Sequence, residues 1–252
     1  YDASLVGIHD RVIRSIGILV VKTGVKFIPY LGQMVPALLH ILRSCDRTAR
    51  HMMFNELSKI VEYFGVHLRE SVAGIVQVII EFWFPMTDGK YQEATPRMHA
   101  QTLGLLRAMI STLGVEMAPH IPEILSFCMV VLREDENPDR GPTRQVLEAL
   151  RCLAPLLGEW LPTALQRTID VVKDYIDTPT EVRIAAAETL RRMAYEVNFG
   201  DQQASLLHAI CRVIVYDDAL RSAVVPVLLA LMRNMGKAFL QRGHKHMVDG
   251  VV

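Results

Sequence analysis

Net charge is what this chain lacks first: its 252 residues hold 27 Lys and Arg against 27 Asp and Glu. No global basic field exists to draw it to nucleic acid or to an anionic membrane surface, so neither partner is expected. Cysteine is scarce. Cys45, Cys128, Cys152 and Cys211 are widely spaced in apolar helical sequence and form no C-x-x-C pair, which argues against a zinc or redox motif and reads as four reduced core thiols. No run approaches the roughly 18 apolar residues of a membrane span. The strongest, residues 72–84, is interrupted by Gln77 and Glu81, so no membrane insertion is expected. The phosphate-binding, dinucleotide, HExxH and nucleophile-elbow motifs are missing from the sequence as well. No catalytic, cofactor-binding or metal-ligating residue is therefore nominated. His244 and His246, the one close histidine pair, read as part of a polar tail. A chain that opens at Tyr1 without a signal-like stretch is expected to be a piece of a larger cytoplasmic protein.

Aliphatic side chains in helical register are what the chain has in plenty. Hydrophobic residues reach 51% with only 7% aromatic, the composition of helices covered on two or three sides. Gly24, Gly65, Gly114 and Gly158 each close a run of 3.6-residue periodicity, at intervals of 41, 49 and 44 residues. Gly236 follows after 78, about twice the unit, with Asn198 and Gly200 near the missing marker. A period near 40–47 residues with two helices per unit is that of HEAT and armadillo arrays, because one helical hairpin cannot bury its apolar face alone. The expected fold is an all-α superhelix, a single solenoid of about six hairpins. Their approximate limits are 1–44, 45–84, 95–134, 142–177, 178–216 and 217–252, in at least ten helices with essentially no strand.

The turns fit this plan. Glycine at a helix end takes a left-handed cap, and proline soon after starts the next helix without losing a needed donor; Pro29, Pro119 and Pro162 stand in those places. Asp177 and Arg183 have the six-residue spacing of the HEAT Asp–Arg ladder and are nominated as an inter-repeat pair. Arg50, Arg97, Arg144 and Arg221 lie early in the leading helices of their units without matching acids. Two connections are long. The stretch 84–96 is read as an insertion whose Phe84, Met86 and Tyr91 are offered to a partner, and 134–142 is read as a turn-rich linker. The acids Glu134, Asp135 and Glu136 read as solvated. The methionines and the two tryptophans, Trp83 and Trp160, read as packing.

Laid out in repeats, the sequence resembles the middle HEAT region of the TOR (target of rapamycin) protein kinases, in the PI3-kinase-related kinase family. The resemblance is carried by Gly24 through Val35-Pro36-Ala37-Leu38-Leu39, Arg43-Ser44-Cys45-Asp46 with Arg50, and Glu81-Phe82-Trp83. It continues in His120-Ile121-Pro122-Glu123-Ile124-Leu125 and Ala186-Ala187-Glu188-Thr189-Leu190, and closes on Leu220-Arg221-Ser222-Ala223 and Gly236-Lys237. It implies a non-catalytic scaffold segment of a serine/threonine kinase acting in growth and nutrient signalling. Its implied partners are a raptor-type scaffold subunit and a second TOR protomer. ATP and magnesium would belong to the parent kinase, not to this segment. The implied location is the cytoplasm, with endomembranes reached through partners. The competing reading is a free-standing HEAT adaptor, such as an importin-like transport receptor or a phosphatase scaffold. Acidic inner helices for basic cargo would mark such a protein, and the balanced charge weighs against it.

Overall fold

Eighteen residues is the recurring length of a leading helix: α1 (Val6–Thr23), α3 (Arg47–Phe64), α5 (Pro96–Leu113) and α11 (Asp218–Met235) all have it. Asp46 caps the start of α3, its Oδ1 accepting from Thr48 N and Ala49 N at 2.7 and 3.1 Å. Asp217 does the same for α11 through Leu220 N, and Thr95, followed by Pro96, caps α5. Each cap satisfies amide groups that the first helical turn leaves without partners. α7 (Gly141–Leu153) and α9 (Thr180–Glu196) are the other leading helices. The return helices are α2 (Ile28–Ser44), α4 (Val72–Trp83), α6 (Ile121–Glu134), α8 (Leu161–Lys173) and α10 (Gln202–Tyr216). This is a computed structural model that describes residues 6–83, 86–87, 90–91, 94–174, 176–196 and 202–236.

By internal packing the chain forms two units, Tyr1–Ile124 and Leu125–Val252. In the first, α1 packs on α3 and α3 on α5, with α2 and α4 laid against them. Phe54, Leu57, Ile60 and Val61 of α3 and Leu105, Leu106 and Met109 of α5 are all buried in the core that these packed helices build. In the second, α7 packs on α9 and α9 on α11, with α8 and α10 completing the layer. Leu190 there shares a cluster with Ile169 of α8, Ile210 of α10 and Val224 of α11. The all-α reading holds, and among the described residues the exception is small. Met86–Thr87 (β1) and Lys90–Tyr91 (β2) pair antiparallel, Met86 opposite Tyr91, inside the insertion that was expected to be irregular.

The closing glycines differ from expectation in one dihedral. All five carry a positive φ, between 41° and 54°. At Gly65 and Gly114, however, ψ is −111° and −119°. That is the first central position of a type II′ turn rather than a left-handed helical cap. The chain leaves this corner straight into a 3₁₀ segment, Gly65–Ser71 or Gly114–His120, which reverses it into the return helix.

Two other expectations change. The helical stretch Pro96–Glu134 reaches a mean hydropathy of 1.4 in its best window, although no run long and apolar enough for a membrane span was expected. By length and composition alone it would span a membrane. It is folded instead as α5, a 3₁₀ turn and α6, with Leu105, Met109, Met117 and Ile124 fully buried. Of the three acids in the 134–142 connection, Asp135 is not solvated. It is 3% exposed, and its Oδ2 accepts from Thr143 N and Oγ1 at 2.9 and 2.8 Å while Oδ1 accepts from Asn137. One buried carboxylate thus holds the whole connection against the start of α7.

Candidate functional site

At three junctions between a return helix and the next leading helix, an arginine in the first turn of the leading helix closes the connection. Arg50 of α3 donates from Nε to Leu42 O at 3.3 Å and from Nη2 to Cys45 O at 2.9 Å. Arg221 of α11 reaches back to Ile214 O at 3.0 Å, and Arg183 of α9 to Val172 O at 2.8 Å. The last carbonyls of each return helix lack intrahelical donors and carry the negative end of its dipole, so a guanidinium satisfies both needs. The expected pair of Asp177 with Arg183 does not form. Arg183 is 5% exposed and binds Asp217 Oδ2 at 2.6 Å, across to the cap of the following leading helix. Asp177 is exposed, and its amide donates to Asp174 Oδ1 at 3.0 Å. Asp177 sits in the turn before α9, and the Arg183 guanidinium is already drawn to Val172 O on one side and Asp217 on the other. Burial opposes ionisation of Asp217, but the Arg183 and backbone hydrogen bonds outweigh it and hold the carboxyl below its usual value.

Side chains buried between the leading helices are used up in packing. His51 Nδ1 lies 2.6 Å from Gln101 Oε1, tying α3 to α5. Burial lowers the His51 pKa, Gln101 opposes that, and the cations of Arg97, Arg47 and Arg50 lower it further. Trp83 is fully buried and donates to His99 Nδ1 at 2.9 Å, so it packs between repeats as expected. Cys45, Cys128 and Cys211 are buried thiols whose pKa burial raises, Cys128 to about 12, so at neutral pH they are protonated and inert. Cys152 is half-buried. Among the described residues no three His, Cys, Asp or Glu side chains gather into a metal-binding group.

What the first unit presents outward is an apolar edge along its turns. Val25, Val66 and Val115 each follow a closing glycine and are 77%, 47% and 80% exposed. The turns behind them are in register. Phe27 stacks on Phe64 with centroids 6.3 Å apart, and a Cβ built at Gly65 would stand 3.6 Å from Thr112. Arg69 of the second turn binds Glu116 of the third through Nε, at 2.6 Å, and through Nη2. Tyr63 and Tyr30, both exposed, flank the same aromatic pair. The row offers protruding aliphatic and tyrosyl side chains on a rigid backbone, with a charged pair at its border, which suits a protein surface better than a small ligand.

Sequence reasoning had placed the partner surface on the insertion. Phe84 lies outside the described residues, and Met86 and Tyr91 are described as backbone partners. The signal it passed over was the Gly-Val dipeptide at Gly24, Gly65 and Gly114.

Residues 1–64 match the family described as the serine/threonine-protein kinase mTOR domain. The chain is similar to the serine/threonine-protein kinase mTor of Drosophila melanogaster, 27% identical over 239 residues that cover 95% of this chain and 9% of that protein. It is equally similar to the serine/threonine-protein kinase TOR of Arabidopsis thaliana, 27% over 241 residues covering 94% and 10%. It thus spans about a tenth of the length of the curated relatives it matches. Among solved structures it resembles a chain of the Kap95p complex with RanGDP, with a TM-score of 0.57, 16% identity, and 93% of this chain and 30% of that chain covered. It also resembles a designed armadillo repeat protein in complex with a (KR)4 peptide, with a TM-score of 0.51, 12% identity, and 87% and 91% covered. Those two likenesses speak to fold alone, an importin- and armadillo-like α-solenoid. Fold, repeat spacing and relatives together make this chain similar to a segment of the TOR kinases, built of HEAT-like helical repeats.

Proposed function

We propose that the chain is a non-catalytic scaffold segment of a TOR-like serine/threonine kinase, contributing to dimer assembly and to the binding of a raptor-type regulatory subunit. ATP and magnesium would then serve the parent kinase elsewhere in its sequence, and the segment would work in the cytoplasm, reaching endomembranes through its partners. The observation that carries this reading is the edge of Val25, Val66 and Val115, with Tyr30 and Tyr63 beside it. An exposed aliphatic row on stacked turns is what a protein partner desolvates, and exposed tyrosines are favoured anchors at such surfaces.

The test is made in the full-length parent. Val66→Glu with Val115→Glu puts two charges on the edge without touching the core, and recovery of the raptor-type subunit and of the second protomer is measured by co-purification. Loss of either partner, with helicity unchanged, supports the proposal. Full recovery of both removes the edge from consideration. Deleting residues 87–93 in parallel asks the same of the insertion, where loss confined to that variant moves the contact there.

A further inference from the structure

The three exposed valines of the turn edge share one local geometry. Val25, Val66 and Val115 are each the second residue of a 3₁₀ segment that opens on a positive-φ glycine, so each side chain leaves its turn at the same point. The turns touch one another through Phe27 on Phe64 and through Arg69 on Glu116, and the helices behind them pack α1 on α3 and α3 on α5. The row therefore advances by the distance between packed helices, about 8–10 Å per valine. In sequence, the closing glycines Gly158 and Gly236 are followed by Glu159 and Lys237, so the aliphatic row is three side chains long. Charge is uneven along it. Lys22 and Lys26 flank Val25 in the chain and are exposed, whereas Glu116 beside Val115 is held by Arg69.

We infer that the edge receives one amphipathic α-helix of a partner protein, laid along the row, with aliphatic side chains repeating every seven residues and an acid at the Val25 end. Stride selects the helix. Side chains on one face of a strand recur at about 6.7 or 13 Å, and neither matches the row. Seven residues of α-helix rise about 10.5 Å, or about 10 Å along the row when the helix is inclined by about 20°. Shape selects it as well. A protruding β-branched side chain enters the hole between four side chains of a facing helix, as in a coiled-coil seam. A polyproline segment also steps by about 9 Å every three residues, but it docks into aromatic-lined grooves, and this edge offers projections instead. Three valines two strides apart call for at least about 15 residues of partner helix. Lys22 and Lys26 set its direction, since they attract an acid to the end over the first turn. The inference rests on the scaffold reading of the edge as a partner surface and adds what the partner brings to it.

Photo-cross-linking in the purified full-length parent with its bound subunits tests it. Benzoylphenylalanine replaces Val25, Val66 or Val115 one at a time, all exposed positions, and mass spectrometry locates the partner residues captured. Expected are captures in one partner segment, with successive sites about seven residues apart. Captures about three residues apart assign a polyproline segment, and captures scattered over several segments assign an irregular surface. Either result overturns the inference while leaving the edge as a partner surface. No capture at any of the three positions overturns the inference and the partner surface together. Lys22→Glu with Lys26→Glu should weaken binding of the captured partner by about three- to tenfold at low salt and by less at high salt. Unchanged binding at low salt overturns the acidic end.

Discussion

At Gly114 nothing stands within 4 Å of where a Cβ would be, so the cost of any side chain there is conformational alone. With φ 51° and ψ −119° the residue occupies a corner that only glycine visits readily. Gly114→Ala and Gly114→Asn should each lower stability by about 1–3 kcal/mol in urea melts. The asparagine should do no better than the alanine, whereas a left-handed cap would accept asparagine at little cost. A glycine in sequence announces its positive φ and says nothing of ψ, which is why spacing located these turns and mistook their type. The other residue-scale prediction concerns pH. The His51 pKa is lowered chiefly by burial, so the unfolded chain takes up its proton first. Its contribution to stability is complete above the ordinary value of 6.5 and is lost as pH falls below it. Asp217, whose pKa is also lowered, contributes fully above 3.8 and loses that contribution only below it, so the two losses begin at different pH. His51→Gln should flatten the fall in melting temperature that begins as pH drops below 6.5 and leave in place the further fall that begins below 3.8.

Helices were the most legible level, since each long apolar run keeps the 3.6-residue period and reports which side faces inward. Leu190 and Arg192 illustrate it, two residues apart in α9, one 2% exposed and the other on the surface. Leu190→Ala should cost about 2–5 kcal/mol, and Arg192→Ala within about 0.5 kcal/mol; urea melts with equal effects would reverse the face. How one element is tied to the next was much less legible. The spacing of Asp177 and Arg183 promised a local pair, but the guanidinium chose Val172 O behind it and Asp217 of a later repeat. Nothing in one sequence marks a partner that distant. The fork geometry now supplies the prediction. Arg183→Lys keeps the charge but cannot donate to both acceptors at once, so it should recover less than half of the loss seen in Arg183→Ala, itself about 3–5 kcal/mol because Asp217 is left without its cation. Full rescue by lysine would mean that charge, not geometry, closes the junction.

In the molecule as a whole, repetition made the architecture readable and hid the exposed valine edge. A valine after a glycine looks like core in any single repeat, and only the structure shows three such valines standing outside on stacked turns. A solenoid invests its chain in neighbour contacts and leaves edges, not cavities, for recognition. The described clefts fit that logic, being small or open and lined by aliphatic side chains without a convergent set of polar groups. The scaffold reading therefore predicts how the protein answers ligands. A nucleotide held at 100 times its Kd would add about 2.7 kcal/mol of stability. For a chain of this length that raises the melting temperature by roughly 5–10 °C. Residues 1–252 melted with saturating ATP and magnesium should shift by less than about a degree on that scale. A raptor-type subunit should protect the α1 to α5 region from exchange only while Val66 and Val115 are intact. A nucleotide shift of several degrees would sink the scaffold reading outright, because the free energy behind it could come only from a site that binds nucleotide in the folded chain.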